Sequence, residues 1–384
     1  MSADAPRARG RALPRALALA PALGLALALG LAAQSPAGAE RRPARPDTGF
    51  AAVVARLSEP GGYFDTDNLI SNEASYLHVL GNLDALGVRG GAYLGVGPDQ
   101  NFTYIAAIRP ELAIIVDIRR DNLLQQLLFR ALFQLSRDRL QYLALLLGRP
   151  LPPAHRADED VERIVAYLDA TPLRPATLDS ALAAVRRTVL TYGVPLSDAD
   201  LATIRRFHTA FAQAGLDLRF ESFSRGVQSY YPVLRQLVLE RDLDGRRRGY
   251  LAREEDFQFV RSLEARGRVI PVVGDLAGTV ALPAIADFLR ERGLAVTAYY
   301  TSNVEFYLAR EDKLGAFMTD LRRLPRDPRA VVIRSVFRFS LPQSVPGYAS
   351  TQLLERMDDL LAAWDAGKIH GYFDLVTVAA LPAR

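Results

Sequence analysis

Two glycines and one aspartate between residues 92 and 117 have the types and spacing that suit a ligand site. Gly95 and Gly97 form a Gly-Val-Gly turn after a short apolar run, and Asp117 ends the next apolar run. Glycines let the backbone approach a ligand closely, and a helix that starts beyond them offers unpaired N–H groups. An acid about 20 residues beyond such a turn can accept hydrogen bonds from ribose hydroxyls. The spacing favours a nucleotide site, although a plain turn and a helix N-cap fit the same residues.

Further polar residues follow two later apolar runs. Asp275 ends the run VVGD, and Ser302-Asn303 and Glu305 follow the run LAVTAYYT. Each could close a turn or cap a helix. Because ligands of parallel sheets collect at the carboxyl ends of the strands, each could also face a ligand.

The segment FDTDNLISNE, before the first apolar run, is dense in polar groups beside aromatic residues. Asn68 and Glu73 are its candidate ligand-facing residues, and turn or capping chemistry is the alternative. A segment in this position could fold over a cleft at the end of the first strand.

Apolar runs and helical patterns alternate in two parts of the chain. This alternation predicts an α/β fold, Rossmann-like, with a mainly parallel sheet covered on both faces. The predicted strands are 91–95, 113–117, 269–275, 294–303, 330–339 and 372–381. The predicted helices include 50–57, a helix from Asp67 or Ser71 to 86, 158–169, 176–190, 197–214, 227–240, 253–265, 282–292, 312–324 and 351–366.

The chain divides by pattern into segments with different roles. Residues 50–118 hold N-terminal helices and the first half of the core, and residues 267–384 hold the second half. Residues 119–266 show helical periodicity almost throughout. Since a crossover between parallel strands needs only about a dozen residues, we expect a large all-helical insertion or cap there.

The first 39 residues have the layout of a secretory signal peptide: arginines, an apolar run at 16–33, then Ala-Gly-Ala. Polar, proline-rich residues 40–49 predict a disordered linker. We expect an exported, periplasmic or cell-surface protein; the alternative is an inner-membrane anchor formed by 16–33. The absence of cysteine excludes disulfides, thiolate metal sites and a cysteine nucleophile.

Charge and histidine spacing narrow the ligand classes. Removing residues 1–39 lowers the formal net charge from +4 to +1, so the basic surplus gives no reason to expect a nucleic-acid partner. The sequence lacks a Gly-x-Ser-x-Gly elbow, a Walker loop and a His-Glu-x-x-His helix. Its four histidines have no metal-ligand spacing, so no metal is expected. A small-molecule ligand is predicted, with peripheral membrane contact through Arg246–Arg248 as a further option; the oligomeric state stays open.

Four segments together resemble the class I S-adenosylmethionine-dependent methyltransferase core: YLGVGP, IIVDIRRDNL, VVGDL and TSNVEFYL. The resemblance covers residues 88–120 and 268–384. FDTDNLISNE with TSNVEFYL also resembles an uncharacterised exported bacterial family. The chain departs from the methyltransferase pattern at Tyr93, where an acid is usual, and at Asp99, where a third glycine is often found.

The resemblance implies S-adenosylmethionine as cofactor and assigns roles to individual residues. It implies cofactor binding by Gly95, Gly97, Asp117 and Asp275, and acceptor-side catalytic roles for Asn303 and Glu305. Asp99 is expected to bind the cofactor in place of the acid missing at Tyr93. Asn68 and Glu73, from the polar segment before the first strand, and Ser302 are expected to contact the substrate. The expected function is methyl transfer to a small or lipid-like acceptor. The alternative is a non-catalytic exported binding or surface protein on the same scaffold, since S-adenosylmethionine is a cytoplasmic metabolite.

Overall fold

A mostly parallel sheet organises the chain in the computed structural model, which describes residues 49–224, 226, 228–378 and 380–381. The described strands are β1 (Ala92–Gly95), β2 (Leu112–Asp117), β3 (Val269–Val273), β4 (Val296–Ser302), β5 (Arg326–Phe337) and β6 (Ser350–Arg356). Their order is β3-β2-β1-β4-β5-β6, with β6 antiparallel to β5 and the other pairs parallel. The predicted α/β class with a mainly parallel sheet is confirmed.

The central strands are apolar on both sides because helices cover both faces of the sheet. All of β1 and β3 is buried, and β2 and β4 become partly exposed only at their last residues, Asp117 and Ser302. The strand order reverses between β1 and β4. At such a switch point the chains leave the two strands in opposite directions, and a crevice forms at their carboxyl ends.

Fifteen α-helices surround the sheet in the described part of the chain. They are α1 (Phe50–Leu57), α2 (Leu80–Ala85), α3 (Asn101–Ile108), α4 (Arg120–Leu135), α5 (Arg139–Leu146), α6 (Val161–Ala170), α7 (Pro175–Leu190), α8 (Asp198–Ala214), α9 (Leu234–Leu239), α10 (Glu254–Ala265), α11 (Ala281–Arg292), α12 (Val304–Arg310), α13 (Leu314–Arg323), α14 (Met357–Asp365) and α15 (Tyr372–Thr377). A 3-10 turn, Gly215–Asp217, follows α8.

The long connection from β2 to β3 contains α4 to α10. Helix α4 contacts both β2 and β3, while α7 and α8 pack against α4, and α10 packs against α3 and α4. Phe129 of α4 meets Phe211 of α8 with ring centroids 6.0 Å apart. These helices therefore share one hydrophobic core with the sheet.

Two elements near the C-terminus differ from the predictions. The predicted helix 351–366 begins as strand β6, and only its second part is helical, as α14. The predicted strand 372–381 is instead helix α15, in which the Leu375 N–H donates to the Gly371 carbonyl at 3.1 Å. Strand β6 already pairs with the open edge of β5, so the later segment finds no free strand beside β5 and packs on α12.

Two predicted helices are shorter in the structure. The helix expected to reach residue 86 is helical only at α2, because Asn68 takes a φ of +50° and the residues up to Val79 form turns. The helix expected at 227–240 is α9 alone.

The predicted signal peptide at 1–39, the anchor alternative at 16–33 and residues 40–48 of the predicted linker lie outside the described residues. Within the part of the chain that is described, no helix has the length and apolar character needed to cross a bilayer.

Candidate functional site

A cavity opens at the carboxyl ends of β1 to β4, beside the switch point. The space between its lining atoms is about 1060 Å³, counting the part open to solvent. The structure brings seven of the predicted site residues to its wall: Asn68, Glu73, Gly97, Asp117, Asp275, Ser302 and Asn303. The other three, Gly95, Asp99 and Glu305, do not line it.

The turn after β1 is held from helix α4. Gly97 has a φ of +82°, and a Cβ there would lie 3.2 Å from the Asn68 amide nitrogen. Its carbonyl accepts hydrogen bonds from Asn122 at 2.8 Å and Gln126 at 3.0 Å. The left-handed conformation favours glycine at this position, and the turn is fixed from the side away from the cavity.

Gly95 is required for packing. A Cβ at Gly95 would lie 1.9 Å from the Asn101 Oδ1 atom. That oxygen accepts from the Tyr93 hydroxyl at 2.8 Å, and the Asn101 amide donates to the carbonyls of Val96 and Pro98. Tyr93 thus supports the turn through Asn101.

Asp117 ends β2 and is paired with Arg119. Its Oδ1 accepts from the Arg119 backbone N–H at 2.9 Å and from Nε at 3.1 Å, and its Oδ2 accepts from Nη2 at 2.9 Å. Arg119 Nη1 donates to the carbonyls of Thr66 and Asp67, at 2.8 Å each. A carboxylate has about four acceptor positions, so one position on Oδ2 remains for a ligand.

Asp275 follows β3 and has local partners. Its Oδ1 accepts from the Ala277 N–H at 3.0 Å, and its own N–H donates to Glu59 at 2.7 Å. Lys313 Nζ lies 3.8 Å from Oδ2. The carboxylate faces the cavity with that lysine beside it. Gly274, the residue before it, has no room for a Cβ, which would lie 2.3 Å from the Ala281 Cβ on α11.

Glu73 is the most unusual group in the cavity wall. It is 1% exposed, and four neutral donors converge on its carboxylate. Oε2 accepts from Tyr300 at 2.7 Å, Gln352 at 2.8 Å and Gln100 at 3.0 Å, while Oε1 accepts from Ser302 at 2.5 Å. Oε1 therefore keeps room for a further donor.

Glu73 forms no ion pair with any described residue. Burial raises the pKa of its carboxyl above the usual range, and the hydrogen bonds from Ser302, Tyr300, Gln352 and Gln100 oppose this rise. A buried carboxylate with raised proton affinity in a cavity wall is suited to accept a proton from a bound molecule.

Glu305, predicted to be catalytic, lies in the protein interior instead. Its carboxylate is 2.7 Å from Arg334 Nε, and Arg334 also bonds to Glu355; these side chains are 1% exposed. Because α12 turns Glu305 toward β5, its carboxylate is held by this Glu–Arg–Glu cluster, away from the cavity.

Asp99, expected in the cofactor site, is bonded to Tyr250 at 3.1 Å. It contributes to a separate small recess with Tyr76, Thr103 and residues of α9. The turn of 95–98 directs Asp99 away from the main cavity, and burial raises the pKa of its carboxyl to about 6.

Asp99→Asn is expected to stabilise the protein above pH 6. The native Asp99 binds its proton more tightly than the unfolded chain does, so stability of the wild type falls as pH rises from about 4 to 6. Asparagine removes this loss, a gain of about 1–2 kcal/mol after allowance for the partial exposure of the side chain. Urea unfolding at pH 4 and pH 8 measures it, with the exposed Asp179→Asn as control. Equal gains at both pH values would contradict the assignment.

Several site residues carry no recognisable sequence signal. Arg119, Tyr300 and Gln100 line the cavity, and Gln352 donates to Glu73 from β6, yet none of the four was expected at the site. Gln352 lies on β6, which the pattern predicts as a helix, so its approach to Glu73 required the correct strand pairing. For Arg119 the one available signal is its place two residues after Asp117.

No metal site was expected, and within the described residues no three histidine, aspartate or glutamate side chains are grouped to hold a metal ion.

The fold and site define an α/β protein with a cavity at the carboxyl edge of a mostly parallel sheet. The chain belongs to the DUF7790 family, described as a domain of unknown function, whose model matches residues 69–192 and 198–359. The matched part includes Glu73, Asp117, Asp275 and Ser302. A comparison with curated proteins gave no match.

Proposed function

We propose that this protein binds S-adenosylmethionine in the main cavity and transfers its methyl group to a small acceptor. The observation that carries the proposal is the convergence of Gly97, Asp117 and Asp275 with Glu73 around one cavity. The first three stand at the ends of β1, β2 and β3, in the positions that the sequence resemblance gives to the cofactor. Glu73 supplies a proton acceptor beside them.

The sheet supports a Rossmann-like, methyltransferase-like classification. Its order β3-β2-β1-β4-β5-β6 follows the doubly wound nucleotide-binding order, although β6 is antiparallel. Within this classification we infer that the helices α5 to α9 are additions to the core, because α4 makes the main contacts of this connection with β2 and β3.

The cavity residues fit the proposed cofactor. One acceptor position on Asp117 Oδ2 suits a ribose hydroxyl, and the Gly97 turn allows close approach of a ligand. Ile118 and Leu276, which follow Asp117 and Asp275 in the chain, also line the cavity and give it apolar surface, which suits a flat base. Asp275 suits hydrogen-bond donors on that base.

When bound, S-adenosylmethionine would supply a methyl group attached to a cationic sulfur. In the transfer the methyl carbon bonds to the nucleophile, and the electron pair of the broken carbon–sulfur bond stays on sulfur. Glu73 Oε1 would accept the proton that an acceptor hydroxyl loses. Ser302 orients Oε1, and the three donors on Oε2 hold the carboxylate in place. Asn303 and Asn68 line the same cavity and offer polar contacts to the acceptor.

A second function, ligand binding without catalysis, is favoured by the pairing of Asp117 with Arg119. Three of the four acceptor positions on this carboxylate are already used within the protein. Export, as predicted from residues 1–39, would also separate the cavity from cytoplasmic S-adenosylmethionine. In that case the cavity would hold another small molecule.

Titration calorimetry of the full-length protein with S-adenosylmethionine and S-adenosylhomocysteine tests the proposed function. We expect micromolar binding of both, weakened at least about tenfold by Asp117→Asn because one charge-assisted hydrogen bond is lost. Asp121→Asn, on the first turn of α4 and outside the cavity wall, is the matched control and should change affinity less than about twofold. Absence of binding at millimolar ligand, or equal affinities of the two variants, would overturn the cofactor assignment.

A further inference from the structure

A second cavity adjoins the first. Asn72, Asn303 and Tyr307 line both. The space between the lining atoms of the second cavity is about 1280 Å³, counting the part open to solvent. The two cavities therefore lie side by side, with these three residues at their boundary.

The wall of this second cavity is mainly aromatic. Phe306 contacts Tyr307 and Tyr372 with ring centroids 5.4 and 5.3 Å apart, and Phe339 lies 5.9 Å from Tyr372. Tyr230 contributes from the connection before α9. The contacts between rings are mostly edge-to-face, a geometry that also accommodates an inserted planar ring.

Arg338 is the cation of the second cavity. It is exposed, its Nη2 donates to the Tyr230 hydroxyl at 3.2 Å, and its guanidinium lies 5.8 Å from the Tyr230 ring. Among the described residues, no carboxylate pairs with it. An exposed arginine fixed beside aromatic rings and left without an acidic partner is suited to bind an anionic group.

Backbone strain is concentrated at the two cavities. Five non-glycine residues in the described chain have positive φ, and three of them line the cavities: Asn68, Ser302 and Arg338, at +50°, +54° and +63°. Such conformations are energetically unfavourable for non-glycine residues and cluster at ligand sites. The positive φ of Arg338 is therefore a second observation, independent of its lack of an acidic partner, that indicates a ligand contact at this residue.

We propose that the second cavity, which we name the aromatic chamber, holds the acceptor, and that the acceptor is an aromatic molecule with an anionic substituent. The rings of Phe306, Tyr307 and Tyr372 contact its planar body, and Arg338 binds its anion. The reactive hydroxyl then points past Asn303 toward Glu73. The identification of this molecule as the methyl acceptor rests on the proposed function. Its binding in the aromatic chamber can nevertheless be measured without any methyl donor.

The test uses 3,4-dihydroxybenzoate as probe and catechol as the same ring without its carboxylate. Binding to the full-length protein is followed by ligand-detected NMR and calorimetry, without S-adenosylmethionine. We expect the probe to bind at least about tenfold more tightly than catechol, and Arg338→Gln to remove that difference while leaving catechol unchanged. Arg310→Gln removes an arginine 5.6 Å from the Phe306 ring but outside the chamber, and should leave both affinities unchanged.

The outcomes separate the two proposals. If S-adenosylhomocysteine binds but the probe does not, or if catechol and probe bind alike, the aromatic chamber is wrong and the proposed function stands. If the probe binds through Arg338 and S-adenosylhomocysteine does not, the chamber is a ligand site and methyl transfer is wrong. If the affinity for the probe falls equally in Arg310→Gln and Arg338→Gln, the effect comes from the overall positive charge and not from Arg338 in the chamber. That result would overturn the inference.

Discussion

Glu73→Ala is expected to destabilise the protein by about 3 kcal/mol or more. The side chain accepts from Tyr300, Ser302, Gln100 and Gln352, and the carboxylate is 1% exposed. Removing the acceptor leaves buried donors without a partner, and each unsatisfied group costs about 1–3 kcal/mol. Some of these donors can bond to one another, since Gln100 already donates to Tyr300, so the total stays below the full sum.

Glu73→Gln is expected to have the opposite effect on stability. The glutamine oxygen can take the place of Oε2, and its amide can donate to the Ser302 hydroxyl. Burial raises the pKa of the Glu73 carboxyl, so the native state binds that proton more tightly than the unfolded chain. Wild-type stability therefore falls as the pH rises above the pKa that this carboxyl has in the unfolded chain. The gain in stability from Glu73→Gln should be larger at pH 8 than at pH 4.

The two variants separate stability from function. Urea unfolding at pH 4 and pH 8 measures the stability change, with the exposed Glu111→Gln as the matched control. Under the proposed function, Glu73→Gln binds S-adenosylhomocysteine normally but loses about a hundredfold or more in transfer to a hydroxyl acceptor. If Glu73→Gln were less stable than the wild type at pH 8, the ionised carboxylate would be stabilising the folded protein. That result would contradict the proposal that burial makes Glu73 a ready proton acceptor.

The sequence pattern was sufficient for the parts of the fold that depend on local periodicity. The apolar runs before Gly95, Asp117 and Asp275 become the buried strands β1, β2 and β3, because a strand covered on both faces needs apolar residues throughout. The polar residues at their ends then meet at one edge of a parallel sheet. Five of the ten expected site residues follow from this rule, if the end of β4 is included: Gly97, Asp117, Asp275, Ser302 and Asn303. Asn68 and Glu73 lie before β1 and were expected from their polar segment instead.

Gly95 is packed against Asn101 and Tyr93, and the positions of Glu305 and Asp99 required knowledge of side-chain direction. Spacing along the chain puts Glu305 three residues after Ser302, but α12 turns its side chain toward Arg334. Likewise Asp99 follows the glycine turn by two residues and points to Tyr250. Gln352 could not be placed because β6 and α14 form one continuous helical pattern. Contacts between distant segments decide these positions, and no local pattern records them.

Among the arginines whose ion pairs are described above, Arg334 should be the one whose replacement by methionine destabilises the protein most. The expected loss in the free energy of unfolding is about 3–5 kcal/mol. Arg334 lies between Glu305 and Glu355, all three side chains are 1% exposed, and desolvation raises the pKa of Glu355. Removing the cation leaves two buried carboxylates without compensation. By contrast Arg322→Met breaks the pair with Asp365, in which both side chains are about half exposed, and exposed pairs contribute roughly 0–1 kcal/mol.

The pH dependence identifies the cause of that loss. In Arg334→Met the pKa of Glu355, which burial already raises in the wild type, rises further because the cation that lowers it is gone, so the destabilisation should shrink as the medium is acidified from pH 8 to pH 5. Adding Glu305→Gln and Glu355→Gln to Arg334→Met should restore most of the stability, since no buried charge then remains. Chemical unfolding at pH 8 and pH 5 is measured for the wild type, Arg334→Met, Arg322→Met and the triple variant. Equal losses for Arg334→Met and Arg322→Met would show that the cluster is far less desolvated than its burial indicates, and Glu305 would then again be a candidate for the chemistry of the cavity.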